Sequence, residues 1–241
     1  MLRELYVDNF KSWLSAAYRP GPVNLLVGRN NTGKTNLLQA MKFLAATANF
    51  RLPDAAGAAT GDAMLVPNVS VQNEPISFRC LCEVSLEGTP LTVEYSLVLT
   101  SRAAGHPGSF QREFTVSRER LEAFGPGFER QPLIDRHETG VDLLDEEKLL
   151  RGERPCTLRT AAPPDQTMLN QLYDSPTNRR ANCFKRYLSS WLYYDFDALR
   201  LRSMESRPLD YVLHTDGGNL ASVLFNLKNA DERSFRSLME I

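Results

Sequence analysis

The sequence has few cysteines, almost no net charge and no long apolar run. Its 241 residues include four cysteines, and 28 basic against 29 acidic residues leave a formal net charge of −1. Four cysteines in a chain of this length do not make the disulfide framework of a small secreted domain. The charge balance gives no overall positive field toward nucleic acid or anionic lipid, and no apolar run approaches a bilayer span. We therefore expect a globular, cytoplasmic protein with reduced thiols and no membrane contact.

A metal-ligand pattern is also missing around the only close pair of cysteines, Cys80 and Cys82. None of the three histidines stands at metal-ligand spacing from them. Residues two apart on a strand share one face, so we expect both thiols to be buried as small apolar groups.

What the sequence does contain is a phosphate-binding motif, "GRNNTGKTN", at residues 28–36. It satisfies GxxxxGK[ST], and the flanking sequence predicts a strand at "VNLLVG" and a helix at "TNLLQAMKFLAATANF". The glycines let backbone N–H groups surround phosphate oxygens at a helix N-terminus. We predict that Lys34 reaches the β- and γ-phosphates of a nucleotide and that Thr35 binds magnesium. The predicted nucleotide contacts are Gly28, Arg29, Asn30, Asn31, Thr32, Gly33, Lys34, Thr35 and Asn36.

The remaining sequence predicts a β-rich part followed by a helical part. Alternating apolar residues predict a strand at "LRELYVDNF" and an antiparallel hairpin over residues 76–99, and "REFTVSRERL" predicts a further strand. Small and polar residues from Pro53 to about residue 73 predict a surface loop, and helical spacing predicts helices at "ANCFKRYLSSWLYYDF" and "NLASVLFNLKN". The predicted organisation is a β-rich lobe with the phosphate loop over about 1–125, a loop-rich connection with short strands over about 126–166, and a helical part over about 167–241.

Two patches resemble RecF/SMC/OLD-type ATPases, whose heads are ABC-like. "NFKSW" followed by "VNLLVGRNNTGKTNLLQAM" resembles their opening, in which the P-loop reads GxNxxGK[ST]N, and Asn30 and Asn36 carry the likeness. Residues 199–227, with "DGGNLA", are similar to a segment of SMC-like predicted AAA ATPases. The resemblance runs from residue 2 to about residue 228. It implies an α/β P-loop NTPase: an ABC/SMC-like head with strand, P-loop and helix, an antiparallel β subdomain and a helical part.

The resemblance also implies a set of site residues and a partner. Lys11 and Ser12 match the segment that lies beside the nucleotide, and a glutamine between the two parts of such heads approaches magnesium. Gln166 and Gln171 are the candidates, with two solvent-facing amides as the alternative. The signature segment, the acidic Walker B strand with its catalytic glutamate and the switch histidine of the family are not found in residues 1–241. We therefore expect the N-terminal portion of one ATPase head, incomplete at its C-terminus, which forms a homodimer through ATP-bound heads when complete.

Asp195 is the candidate for completing the site within this chain. "WLYYDFD" resembles an acid-ended strand that holds magnesium, but its flanks have helical spacing, which favours a solvated helix end. With Asp195 in the site, the protein would be a self-contained P-loop kinase or GTPase-like enzyme, although the guanine-reading NKxD segment is missing. The third alternative is a truncated ATP-binding module without turnover. The resemblance favours an ATP-driven switch linked to DNA repair, chromosome maintenance or defence.

Basic residues around two aromatic rings leave nucleic-acid contact open. Such a group can follow a phosphate backbone while the rings stack on bases. The slightly negative net charge favours a solvated helix face instead. The residues of this group are Arg179, Arg180, Phe184, Lys185, Arg186 and Tyr187.

Overall fold

An eight-stranded antiparallel sheet organises the first of two units in the computed structural model, Met1–Trp191. The structure describes residues 1–61, 66–71, 73–104, 111–154, 156–202 and 210–240. The spatial order is β2-β1-β3-β4-β5-β6-β7-β8, with every neighbouring pair antiparallel. The strands are β1 (Leu2–Phe10), β2 (Trp13–Tyr18), β3 (Ile76–Leu86), β4 (Thr89–Ala104), β5 (Gln111–Gly125), β6 (Phe128–His137), β7 (Gly140–Leu144) and β8 (Thr157–Thr160).

The alternating pattern of β3 and β4 places every second side chain in the core, as predicted. The two strands pair in unbroken register from Ile76 opposite Leu99 to Leu86 opposite Thr89. Cys80 and Cys82 are both fully buried on the inner face. Burial of this face removes apolar surface from water, at about 25 cal/mol per Å², and so fixes the register of the hairpin.

Helices cover the inner face of this sheet. Phe43 of the first helix lies 5.4 Å from Phe78 of β3 between ring centroids, and Phe184 lies 5.4 Å from Tyr95 of β4. The helices of the first unit are α1 (Lys34–Thr47), α2 (Leu52–Thr60), α3 (Glu146–Leu150), α4 (Met168–Gln171) and α5 (Arg179–Ser189). The architecture is therefore mixed α/β, with a helical layer on an antiparallel sheet.

The outer face of the sheet carries a ladder of ion pairs. Arg130 contacts Glu94 at 2.7 Å and Glu122 at 2.9 Å, and Arg120 contacts Glu122 at 2.8 Å and Asp135 at 3.2 Å. The partners stand on β4, β5 and β6, so the ladder crosses three strands. Cations and carboxylates in this balance indicate a solvated face.

The strand predicted at "VNLLVG" is not a strand in the structure. Residues 24–29 have no regular secondary structure, and the side chains of Val23, Leu25 and Val27 are 91%, 86% and 83% exposed. A strand is stabilised by hydrogen bonds to its neighbours, and within the described residues this stretch pairs with none of the eight strands. Its apolar sequence was therefore not sufficient for a strand.

Two other predictions require correction. The surface loop expected after Pro53 contains helix α2, because proline is tolerated in the first helical turn and Ala55, Ala56 and Ala59 bury against the core. Residues 126–166 are more regular than expected, since β6, β7 and β8 extend the sheet. Part of the predicted surface loop, residues 62–65 and 72, lies outside the described residues.

The second unit, Leu192–Ile241, contains helices α6 (Leu220–Ala230) and α7 (Glu232–Met239). Helix α6 confirms the helix predicted from "NLASVLFNLKN". The buried side chain of Asn219 organises the preceding loop: it accepts from the backbone N–H of His214 at 2.8 Å and donates to the carbonyl of Val212 at 2.8 Å. None of the helices in the described ranges has the length and apolarity needed to cross a bilayer.

Candidate nucleotide-binding site

The loop before helix α1 is folded around the ammonium group of Lys34. The Lys34 Nζ atom donates to the carbonyl oxygens of Gly28 and Arg29, at 2.7 Å each. Thr32 donates from its hydroxyl to the carbonyl of Arg29 at 2.9 Å, which closes the loop on itself. The predicted contacts from Gly28 to Lys34 therefore form one compact loop with a cation at its centre.

Helix α1 begins with an arrangement that favours an anion. Its N-cap is Gly33, in a left-handed conformation with φ 90°, and no side chain within the described residues caps it. The first turn carries no acidic residue. Its first backbone N–H groups have no intrahelical partners and lie at the positive end of the helix dipole. Three other helices differ, because α3, α4 and α7 are capped by Asp145, Thr167 and Asp231.

The turn between β1 and β2 lies against this helix start. The Asn36 amide donates to the Ser12 hydroxyl at 2.5 Å, and Lys11 Nζ donates to the Gln39 side chain at 2.7 Å. Partial burial lowers the pKa of Lys11. The structure thus brings Lys11 and Ser12 to the first two turns of α1, with Ser12 at the phosphate loop itself.

A cavity of about 450 Å³ opens where these parts meet. Its volume is within the range of small-molecule sites. It is lined by Ser12, Asn30, Asn31, Thr32, Gly33, Lys34, Thr35 and Asn36. The exposed Thr35 hydroxyl belongs to this lining, which suits a group that binds a metal ion together with a nucleotide.

Gln166 and Gln171 lie at the other end of helix α1. Their side chains hydrogen-bond each other, and neighbouring Thr167 donates to the carbonyl of Thr47, the last residue of α1. Thirteen residue steps along the helix lead from Lys34 to Thr47, a rise of about 20 Å. The structure therefore does not bring these amides to the phosphate loop.

Asp195 belongs to the second unit and is exposed there. Its backbone N–H donates to the carbonyl of Thr215 at 2.8 Å, in a stretch without regular secondary structure rather than in a helix. Helix α5 ends at Ser189, so the predicted helix through Phe196 is too long by seven residues. Leu192, which lies within the predicted helix, is 76% exposed. Residues 199–227 are the second patch that resembles SMC-like ATPases. Within this patch, residues 203–209 lie outside the described part of the chain.

The basic residues of α5 are engaged within the protein. Arg180 pairs with buried Glu146 at 3.2 Å, and Lys185 Nζ donates to the carbonyls of Asn170 and Leu172 at 2.7 Å each. Phe184 is fully buried and packs on Tyr95, so it offers no surface to a base. Two of the basic side chains are thus used in internal contacts, and Phe184 is not available for stacking on a base.

Two features of the first unit were not predicted. Trp13, which follows Ser12 in "NFKSW", packs its indole against Gly33. Glu119 on β5 is fully buried and accepts hydrogen bonds from the Tyr95 hydroxyl and from the backbone N–H groups that begin α4. Burial raises the pKa of Glu119. The inward position of residue 119 in the β5 alternation was the available signal, although nothing local identifies its partners.

The match to a protein family covers the segment that contains this loop. Residues 23–89 match a family described as "AAA domain, putative AbiEii toxin, Type IV TA system". A stretch of 45 residues is 53% identical to the DNA replication and repair protein RecF of two Porphyromonas gingivalis strains, ATCC 33277 and W83. The chain therefore resembles RecF/SMC-type AAA ATPases in its N-terminal part.

The matched segments are short relative to this chain and to the relatives. The family match covers just over a quarter of the chain and ends at Thr89, the first residue of β4. The RecF match covers 18% of the chain and 12% of each relative. The family match therefore ends well before residue 228, to which the sequence analysis predicted that the resemblance extends.

Proposed function

We propose that this protein binds ATP with magnesium through residues 28–36 and forms the first part of an ABC-like ATPase head. The observation that carries the proposal is the cavity at the start of α1, with the Lys34 ammonium inside the loop and an uncapped helix N-terminus beside it. A polyphosphate would exchange the two contacts of Lys34 with neutral carbonyls for contacts with negatively charged oxygens, which add the attraction between opposite charges. Thr35 would supply one ligand to magnesium, which prefers hard oxygen donors.

The exposed segment before the loop supports an incomplete head. Residues that precede a P-loop form a strand of a buried parallel sheet, whose strands read as near-continuous apolar runs. Val23, Leu25 and Val27 have this composition and are almost fully exposed. We infer that further polypeptide supplies the neighbouring strands, the residues for hydrolysis and the surface through which two ATP-bound heads form a homodimer.

The process served by this switch is inferred from the matched proteins. The relatives are named for DNA replication and repair, so we propose maintenance of nucleic acid as the role of the ATP-driven switch. The family description names a toxin system, which makes defence the other candidate. In both cases, ATP binding by the first unit is the step that can be tested on this chain.

The test is calorimetric titration of Mg·ATP into the wild-type protein and the Lys34→Ala variant. A hydrogen bond to a charged group contributes about 1.5–3 kcal/mol, so we expect affinity to fall at least about tenfold. Lys42→Ala is the matched control, because it removes a lysine two turns further along α1 that does not line the cavity. Equal affinity of Lys34→Ala and the wild type would refute the proposed site.

A further inference from the structure

Trp13 touches the phosphate loop at the residue on which its geometry depends. An ideal Cβ atom placed on Gly33 would lie 2.4 Å from the Trp13 Nε1 atom and 3.2 Å from Cε2. Such distances are far below van der Waals contact, so the indole edge occupies the space that a side chain at position 33 would need. Gly33 is therefore restricted twice, by its φ of 90° and by the ring beside it.

We propose that Trp13 is a positioning residue that holds the phosphate loop in its nucleotide-binding conformation. This inference rests on the proposed function, since it assigns the residue that shapes the same site. Trp13 acts through Gly33 and is not itself part of the cavity lining.

The turn that carries Trp13 is held in place by backbone contacts with residues 66 and 67. Trp13 pairs with Phe10 across the β1–β2 hairpin, and Phe10 also forms an isolated β-bridge with Pro67. The Lys11 backbone N–H donates to the carbonyl of Val66 at 2.9 Å. These contacts tie the turn to the buried segment 66–68, so the indole meets Gly33 from a fixed support.

Because the indole is fixed, the loop is already restricted in the free protein. It therefore loses less conformational freedom when the nucleotide binds. The loop is rich in glycine and asparagine, and ordering such residues costs backbone entropy. Preorganisation of the loop reduces that cost before the nucleotide arrives. Loss of the indole should therefore weaken phosphate binding although no ligand contact is removed.

The first test is a double-mutant cycle measured by calorimetry with Mg·ATP and with pyrophosphate. Trp13→Leu keeps apolar bulk but ends before the Nε1 position, and we expect it to weaken affinity about three- to tenfold. Gly33→Ala should weaken affinity in both backgrounds because of its positive φ. The loss should be at least about tenfold larger with Trp13 present, since only there does the new Cβ meet the ring. Equal losses in the two backgrounds would overturn the inference, because additive effects mean that Trp13 and Gly33 do not act on each other.

The second test uses the fact that the chain has two tryptophans, Trp13 and Trp191. In a Trp191→Phe protein, all tryptophan emission comes from Trp13, and saturation with Mg·ATP should change its intensity or wavelength. The matched Trp13→Leu protein, which emits only from Trp191, should not respond. Unchanged Trp13 emission in a protein that demonstrably binds Mg·ATP would overturn the inference.

The outcomes separate the inference from the function on which it rests. If wild type binds neither Mg·ATP nor pyrophosphate, the proposed function fails and the inference fails with it. If wild type binds, Lys34→Ala does not and the Trp13 cycle is additive, the site stands and only the role of Trp13 is wrong. Thermal unfolding of each variant confirms that affinity is compared between folded proteins.

Discussion

Removal of the Glu119 carboxylate should uncouple the start of α4 from the sheet. Its two oxygens accept from Met168 N at 2.5 Å, Leu169 N at 3.0 Å and the Tyr95 hydroxyl at 3.0 Å. In Glu119→Ala, each buried donor left without an acceptor costs about 1–3 kcal/mol, or about 3–9 kcal/mol for the three. Relief from burying a carboxylate offsets part of this sum. We therefore expect a net loss near the lower end, about 3–4 kcal/mol of the free energy of unfolding.

The assay is urea unfolding followed by circular dichroism at neutral pH. Glu113→Ala is the matched control, because Glu113 stands on the same strand in an exposed pair with Arg102 at 3.0 Å. Exposed pairs contribute about 0–1 kcal/mol, so the control should unfold close to wild type. A Glu119→Ala protein as stable as the control would refute the role of the buried carboxylate.

The pH dependence of the free energy of unfolding gives an independent test of the role of Glu119. Burial raises the pKa of Glu119 in the folded protein above its ordinary value. The proton-linked part of the stability that Glu119 contributes is then fully present below the unfolded-state pKa and is lost as the pH rises through the folded-state pKa. Glu119→Gln has no such proton, so its deficit relative to wild type should be largest at low pH and shrink as the pH rises. A deficit that grows with pH would contradict the raised pKa.

Three further predictions concern the two units. Thr35→Ala should leave magnesium-free ATP affinity nearly unchanged and remove most of the gain from added magnesium, as measured by paired calorimetric titrations; an equal gain in both proteins would show that Thr35 does not bind the ion. The 241-residue chain should bind ATP yet hydrolyse it very slowly, because positioned charges and an oriented water supply most of the rate in phosphoryl transfer. A steady-state ATPase assay in which this chain turns over rapidly, and Asp195→Asn abolishes the activity, would support a self-contained enzyme instead. Asn219→Ala should speed hydrogen exchange of the His214 amide, which loses its acceptor; unchanged exchange would rule out that hydrogen bond.

The sequence was most informative where structure depends on neighbours in the chain. The alternation of Ile76, Phe78 and Cys80 predicts the β3–β4 hairpin because the pleat repeats every two residues. The motif at residues 28–36 predicts the loop and the start of α1 because backbone geometry there requires glycine at position 33. Both predictions use short-range rules that need no knowledge of the remaining fold.

The sequence was least informative where distant residues decide. The segment at Val23–Val27 has the composition of a strand, yet a strand also needs neighbours to pair with. Pro53 was read as a breaker, although tertiary burial of Leu52 and Ala55 favours a helix there. The partners of Glu119 are nearly fifty residues away in α4, and the contact of Trp13 with Gly33 crosses from a strand to a loop. Contacts between residues so far apart in the sequence leave no periodic pattern in it.

The exposure of Val23, Leu25 and Val27 also has a consequence for handling the protein. A short run of β-prone residues without charge or proline, fully accessible to solvent, is the composition that nucleates intermolecular sheets. The neighbouring Pro22 and Gly28 limit its length to about five residues, which restrains but does not remove that hazard. We expect molecules of this chain to associate through this segment and to precipitate at high concentration. The substitution Leu25→Lys should improve the solubility.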